Sequence, residues 1–100
     1  MTSLGMKVSF TPEAVDDLKR LRESIESNNP IAAQRIANEL LSGIEKLKAF
    51  PQIGIKVIRA PQPHLVRDLF IGNYTVRYIT GRNQIFILRM WHGKEIEKDL

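Results

Sequence analysis

The sequence predicts a single α+β domain: a strand, a two-helix antiparallel hairpin, and then a mostly antiparallel three-stranded meander. The front half carries two apolar stripes at helical spacing, whereas the rear half alternates polar and apolar residues between glycine turns. At 100 residues the chain has the size of one small domain with one core. We expect the domain to span residues 1–100, with a loose leader at 1–5 and a flexible acidic tail at 95–100.

The opening strand is predicted to run directly into the first helix. Residues 7–10 alternate polar and apolar, which is typical of a half-buried strand. Thr11 can accept a backbone N–H as the N-cap, and Pro12 suits the first helical position. We place Asp17 on another helix face than the apolar stripe and end the helix near Ser27. The stripe consists of Val15, Leu18, Leu21 and Ile25.

The second helix begins at Asn29-Pro30, which repeats the same start signal. Its apolar stripe is predicted to reach Phe50, where Pro51 ends the helix. Two amphipathic helices joined by two or three residues indicate an antiparallel hairpin, and the sheet is the surface that covers both stripes. We therefore expect the following side chains to be mostly buried: Leu18, Leu21, Ile25, Ile36, Leu40, Ile44, Leu47, Tyr78 and Leu88.

The rear half is predicted to form the sheet. Residues 55–59 suit a short edge strand, and two prolines in residues 60–63 indicate a loop. Three strands follow at residues 64–71, 74–80 and 84–90, with Gly72-Asn73 and residues 81–83 as turns. Strict alternation puts Tyr74, Val76 and Tyr78 on one face of the middle strand. In the last strand it puts Ile85, Ile87 and Arg89 on one face, and Phe86, Leu88 and Met90 on the other.

The charge is unevenly distributed along the chain, whose net charge is +4. Residues 54–94 hold seven Lys or Arg and one acid, a charge of +6, while residues 1–53 are neutral and the last six residues carry −2. A basic sheet favours an anionic partner, although charge alone does not choose between nucleic acid and an acidic protein. With no cysteine and two histidines we expect no metal site and a cytoplasmic location. The sequence has no long apolar run and no Gly-rich phosphate loop, so we expect no membrane segment and no cofactor.

Several local motifs accompany this element order between Met6 and Lys94. They are Thr11-Pro12-Glu13-Ala14 with Asp17-Leu18, Asn29-Pro30 with Ala32-Ala33, Phe50-Pro51-Gln52-Ile53-Gly54, Val66-Arg67-Asp68-Leu69, Tyr74 with Tyr78, and Ile87-Leu88-Arg89-Met90-Trp91-His92-Gly93-Lys94. In combination they resemble the RelE/ParE superfamily of toxins from bacterial type II toxin–antitoxin pairs. The resemblance implies a cognate acidic antitoxin that folds as it wraps the sheet and the helical hairpin.

The superfamily divides by target, and the resemblance is closer to its ParE-like side, which implies inhibition of DNA gyrase rather than enzymatic turnover. Two positions depart from the common pattern: Glu95 stands where a basic residue usually follows Lys94, and Thr75 stands where ribonuclease members carry a phosphate-handling Arg. The alternatives are a RelE-like ribosome-dependent messenger ribonuclease and a weakly toxic binding module. A ribonuclease would draw its base, acid and cations from His92, Tyr74 or Tyr78, Arg77, Arg89 and Lys94.

Two groups of site residues follow from these observations, and neither contains a catalytic residue. We define residues 91–94 as the C-terminal lip and expect the target to contact Arg89, Trp91, His92 and Lys94. We expect the antitoxin to contact Arg59, Arg67 and Arg77. Arg67, Arg77 and Arg89, in adjacent strands with little acid nearby, would repel one another unless a partner neutralises them. The plainer interpretations are that Trp91 covers the edge of the core and that the arginines are solvated.

Overall fold

The computed structural model describes residues 6–27, 29–58, 65–93 and 95, and it confirms the predicted α+β class. No helix in these ranges is long and apolar enough to cross a membrane. In chain order the elements are β1 (Lys7–Phe10), α1 (Pro12–Glu26), α2 (Pro30–Glu45), a 3₁₀ turn (Lys46–Lys48), β2 (Ile55–Lys56), β3 (Val66–Ile71), β4 (Tyr74–Gly81) and β5 (Gln84–His92).

Both helices begin where their capping residues predicted. The Thr11 hydroxyl accepts the Ala14 N–H at 3.1 Å, and the Asn29 side chain accepts the Ala32 N–H at 3.1 Å. Each cap satisfies a donor that the first helical turn leaves without a partner. The Thr11 hydroxyl also donates to the Leu88 carbonyl at 2.9 Å, which ties the start of α1 to the last strand.

The five strands form one sheet in the order β1-β5-β4-β3-β2. β1 is parallel to β5, and the other pairs are antiparallel. The two helices pack on one face, where they bury the side chains of β4 and β5. The core is formed by Ala14, Leu21, Leu40, Ile44, Leu47, Val76, Tyr78, Ile85, Ile87 and Met90.

The predicted alternation of β5 is wrong in its second half. Arg77 pairs with Arg89 while the next residue, Tyr78, pairs with Ile87, so Leu88 is an extra residue in β5. Such a bulge shifts the alternation by one position. Ile85 and Ile87 are therefore buried together with Met90, on the helix face, and Leu88 is half-buried instead of lying in the core.

Other boundaries differ from the prediction for local reasons. β5 continues to His92 because Trp91 and His92 pair with the first two residues of β4. The 3₁₀ turn after Glu45 interrupts the 3.6-residue period, which leaves Phe50 exposed instead of extending the stripe.

β2 comprises two residues instead of the predicted five. Leu18, Ile25 and Ile36, which were expected in the core, are half-buried. The predicted loop at 60–63 and His64, the first residue of the predicted strand at 64–71, lie outside the described residues. Leu65 belongs to a turn, so the strand begins at Val66.

Candidate functional site

A buried carboxylate connects α1 to the end of β5. Because β1 ends opposite Ile87, the next part of the β5 edge meets α1 instead of a strand. Asp17 is 1% exposed and accepts the Met90 N–H at 2.9 Å. It also accepts Arg89 through Nε at 2.8 Å and Nη2 at 3.0 Å, and Arg20 Nη1 at 2.6 Å. The carboxylate therefore takes the place of a neighbouring strand and neutralises two arginines.

The electrostatics of this cluster favour its charged forms. Burial by itself raises the pKa of Asp17, but the hydrogen bonds from Arg89, Arg20 and the Met90 amide outweigh it and lower the pKa from 3.8 to about 2. The hydrogen bond to Asp17 raises the pKa of Arg89. The pKa of Arg20 is also raised, because its bonds to Glu95 and Asp17 outweigh the opposing effect of burial. All three groups are thus ionised at neutral pH.

The C-terminal lip lies directly beyond this cluster and is held on two sides. On the sheet side the Gly93 N–H donates to the Asn73 carbonyl at 2.7 Å, and the His92 ring meets Tyr74 edge-on with centroids 4.9 Å apart. On the helix side Glu95 accepts the His92 N–H at 2.9 Å and two bonds from Arg20 at 3.1 Å. The first three residues of the lip are therefore fixed by contacts to β4 and to α1.

Arg77 lies on the sheet face opposite the helices and is buried. It forms a bidentate pair with Asp68, from Nε to Oδ1 at 2.8 Å and from Nη2 to Oδ2 at 2.9 Å. Its guanidinium carbon lies 5.0 Å from the centre of the Trp91 ring, a cation–π distance. Arg77 is 4% exposed and Trp91 is 6% exposed. The plainer interpretation, that Trp91 covers the edge of the core, agrees with this burial in that the ring is a packed residue, although its neighbour is Arg77.

Tyr78 and Arg67 fasten the segment of residues 51–54 to the sheet. The buried Tyr78 hydroxyl donates to the Pro51 carbonyl at 2.9 Å and accepts the Gly54 N–H at 2.8 Å, and burial raises its pKa. Arg67 Nη1 donates to the Gly54 carbonyl at 2.8 Å and the Gln52 carbonyl at 3.3 Å. A Cβ on Gly54 would lie 2.7 Å from the Tyr78 ring. The glycine that ends the Phe-Pro-x-Ile-Gly motif therefore lets the backbone at residue 54 pass close to the Tyr78 ring, where a larger residue would clash.

An open groove of about 1070 Å³ runs between α2 and β3. Three large apolar side chains line it while remaining exposed: Ile31 at 83%, Phe70 at 57% and Ile53 at 53%. Its charged lining residues are Arg35, Glu39 and Lys46, and Arg35 Nη1 pairs with Glu39 at 3.2 Å. Sequence analysis missed this groove, although Ile31 lies outside the apolar stripe of its helix, and an apolar residue at such a position is a signal for a binding surface.

The structure places the predicted site residues in three locations. Arg89, Trp91 and His92 lie together at the end of β5, Arg77 stacks on Trp91, and Arg67 lies beside residues 51–54. Lys94 and Arg59 lie outside the described residues. Arg77 and Arg89 are neutralised inside the chain by Asp68 and Asp17, and Arg67 donates to the Gly54 carbonyl. The repulsion expected among these three arginines therefore does not require an outside partner.

Three residues of the network were missed by the sequence analysis: Asp17, Arg20 and Glu95. Asp17 was assigned to another helix face, whereas it is buried with Ala14 and Leu21 on the face that meets the sheet. The available signal was its position: it lies at i+3 from Ala14 and i−4 from Leu21, on the inner face of α1. Within the described ranges no group of three or more acidic or histidine side chains is arranged to hold a metal ion.

Comparison with known proteins now identifies the family. Residues 8–97 match the sequence profile described as "ParE toxin of type II toxin-antitoxin system, parDE". The chain belongs to the ParE toxin family. It is 29% identical to Toxin RelE2 of Caulobacter vibrioides over 90 residues, which cover 90% of this chain and 98% of that relative.

A solved structure shows the same fold. The chain superposes on the structure entitled "Chromosomal ParDE TA system from P. aeruginosa" with a TM-score of 0.74 and 19% sequence identity. The match covers 90% of this chain and 98% of the other chain. The protein is accordingly a type II toxin of the RelE/ParE superfamily.

Proposed function

We propose that this ParE-family toxin inhibits DNA gyrase by binding it, without turning over a substrate. We expect it to act in the cytoplasm, where the gyrase and its DNA are found. The observation that supports binding over catalysis is the pairing of the two central cations. Arg77 is buried in a bidentate pair with Asp68, and Arg89 is paired with Asp17. Guanidinium groups held in this way are poorly placed to follow the charge that develops on a phosphate during RNA cleavage.

The second candidate function is ribosome-dependent cleavage of messenger RNA. It is favoured by the name of the relative from Caulobacter vibrioides, Toxin RelE2, and by the contact between Tyr74 and His92, which brings two proton-transferring side chains together. Thr75 weighs against it, because a buried hydroxyl replaces the cation expected there from the resemblance. A weakly toxic binding module is the third possibility.

Two assays on the purified toxin separate these functions. In the first, the toxin is titrated into DNA gyrase and both supercoiling and accumulation of cleaved DNA are measured. In the second, it is added to a reconstituted translation reaction and the messenger RNA is examined for cuts at the ribosomal A site. We expect inhibition in the first and no cuts in the second. Codon-positioned cuts that disappear in His92→Ala would establish the ribonuclease, and activity in neither assay would favour the binding module.

The C-terminal lip is our candidate for the gyrase-contacting surface, and His92→Ala and Lys94→Ala are its probes. Trp91→Ala is unsuitable, because the buried ring packs on Arg77 and its loss should destabilise the fold by about 3–5 kcal/mol. The matched control is Arg82→Ala, which removes an exposed cation at the opposite end of β5. We expect the lip variants to retain folding and antitoxin binding while losing gyrase inhibition, and Arg82→Ala to retain all three.

We also propose that the groove between α2 and β3 receives an acidic, amphipathic segment of the cognate antitoxin. Its exposed apolar lining would take the apolar face of the segment. Lys46, together with Arg35 from its exposed pair with Glu39, would face the acids of the segment. Whether Arg59, Arg67 and Arg77 contribute is still a prediction. Arg67 and Arg77 already donate to groups within the chain, so we expect them to support the sheet beside the groove more than to recruit the partner.

Calorimetry with the antitoxin tests the groove. Ile31→Ala should weaken binding by about 1–2 kcal/mol, roughly five- to thirtyfold in Kd, because it truncates an apolar anchor. Leu41→Ala is the control: it is an exposed apolar residue of the same helix that does not line the groove. Raising the salt concentration should weaken binding further through screening of the rim charges. Equal effects of the two variants would place the antitoxin elsewhere.

A further inference from the structure

Arg20 joins three separate parts of the chain through one guanidinium group. From α1, its Nη1 donates to Asp17 at 2.6 Å, and its Nη2 donates to the Met90 carbonyl of β5 at 3.2 Å. Its Nε and Nη2 reach the two oxygens of Glu95, each at 3.1 Å. A planar fork of this kind fixes direction as well as distance, which a lysine ammonium in the same place would not do.

Glu95 uses the same carboxylate, together with its own backbone N–H, to bind the backbone of His92. Its Oε1 accepts the His92 N–H at 2.9 Å, and its own N–H donates to the His92 carbonyl at 2.9 Å. β5 has its last pairing with β4 at His92. Beyond that residue the contacts that direct the described chain are the Gly93 bond to Asn73 and the Glu95 bonds to Arg20 and His92.

The Arg20–Glu95 pair is poorly suited to be chiefly a source of stability. The two side chains are 36% and 31% exposed, and ion pairs that reach solvent contribute little to folding. The pair joins two residues 75 positions apart in sequence, one in α1 and one next to the lip, and so it fixes the position of Glu95 relative to α1. It determines how the segment after β5 lies against α1.

We propose that Arg20 and Glu95 are positioning residues for Trp91, His92 and Gly93 of the C-terminal lip, holding these three residues in the conformation that binds the target. This inference rests on the proposed function of the lip. It also assigns a role to the acid at position 95, where the resemblance led us to expect a basic residue. The antitoxin groove shares no lining residue with the pocket that contains Arg20 and Glu95. Loss of the pair should therefore affect target inhibition and spare antitoxin binding.

The test compares Glu95→Gln and Arg20→Lys with Glu45→Gln in the full chain. Glu95→Gln keeps the shape and an oxygen for the His92 amide but removes the charge that Arg20 binds. Glu45→Gln is the matched control, because Glu45 forms an exposed pair with Lys48 at 2.8 Å, away from the lip. Four quantities are measured for each variant: gyrase inhibition, antitoxin affinity, melting temperature and hydrogen exchange of the Gly93 amide.

We expect Glu95→Gln and Arg20→Lys each to raise the toxin concentration for half-inhibition by about tenfold, the loss that one well-placed charged hydrogen bond produces. Exchange of the Gly93 amide should accelerate, while antitoxin affinity stays unchanged. The double variant should lose no more inhibition than either single variant, because the two residues act as a unit. Glu45→Gln should resemble the unaltered chain in all four measurements.

Each contrary outcome has a distinct meaning. If His92→Ala abolishes inhibition while Glu95→Gln leaves it intact, the positioning role is wrong and the proposed function stands. If His92→Ala and Lys94→Ala both leave inhibition intact, the lip is not the target surface and the positioning role fails with it. If the Arg20–Glu95 coupling is as large in unfolding as in inhibition, the pair is purely structural and the inference is overturned.

Discussion

Asp17→Asn should be among the most destabilising single-atom changes in the chain. The substitution removes the charge that holds Arg20 and Arg89. Each carboxylate oxygen accepts two hydrogen bonds, so whichever oxygen becomes the amide NH₂, two of the four bonds turn into contacts between donors. Breaking a buried ion pair by deleting one partner typically costs about 3–5 kcal/mol. Because the two arginines are 36% and 23% exposed, water can replace part of what they lose. We therefore expect about 3 kcal/mol at pH 7, from a total of roughly 5–15 kcal/mol for such a domain.

The same residue gives the protein a defined acid dependence. The folded pKa of Asp17 is about 2 and its ordinary value is 3.8, so the unfolded chain binds more protons between these values. The stabilisation is therefore complete above about pH 4 and is lost as the pH falls through about 2. A difference of about two between the folded and unfolded pKa values corresponds to about 2–3 kcal/mol of stability. Because asparagine does not titrate, the unfolding free energy of Asp17→Asn should not show this loss between about pH 4 and pH 2.

Urea unfolding at pH 7, 4, 3 and 2 tests the magnitude and the sign together. The difference in unfolding free energy between the unaltered chain and Asp17→Asn should narrow from about 3 kcal/mol at pH 7 to about 1 kcal/mol at pH 2. Asp16→Asn is the control, because Asp16 is adjacent in α1 but exposed, and it should change stability by less than about 0.5 kcal/mol. A difference that stays constant down to pH 2, or equal costs for the two variants, would refute the reasoning.

Three further substitutions test the packing by thermal or urea unfolding. Tyr78→Phe should cost about 1–3 kcal/mol, because it leaves the buried Gly54 N–H without its acceptor. Gly54→Ala should also destabilise, since its Cβ would lie 2.7 Å from the Tyr78 ring, whereas at Gly81 the nearest atom is 3.9 Å away and alanine should be tolerated. Leu40→Ala should cost about 2–5 kcal/mol, and the exposed Leu41→Ala far less. The packing described would be contradicted if Gly81→Ala cost more stability than Gly54→Ala, or if Leu41→Ala cost more than Leu40→Ala.

The fold was predictable because its signals are local. The N-caps at Thr11 and Asn29, the helical stripes and the glycine turns each specify a few neighbouring residues, and together they determine the element order. The bulge at Leu88 was not predictable in this way. A bulge depends on how two strands align, and the sequence around Leu88 alternates in a manner that is compatible with an unbroken strand.

The candidate site was only partly predictable for a related reason. The motif that ends at Lys94 correctly indicated that Arg89, Trp91 and His92 lie at one end of the sheet. The partners of these residues come from distant parts of the chain: Asp17 is 72 positions from Arg89 in sequence, and Arg20 is 75 from Glu95. Such pairings arise only after α1 has packed across the end of β5, and no spacing rule within a single element reveals them.

These pairings also change what the charge distribution means for recognition. Counted along the sequence, residues 54–94 carry +6, the front half is neutral and the tail is acidic. In the fold the front half provides Asp17 to Arg89, the segment itself provides Asp68 to Arg77, and the tail provides Glu95 to Arg20. The acids are thus placed on arginines at the core and the lip. The groove combines an open apolar lining with three charged residues, of which Arg35 is paired with Glu39 and Lys46 adds a further cation. Antitoxin affinity should therefore depend on apolar contacts at Ile31 and its neighbours more than the charge of the segment suggests, with salt a secondary influence.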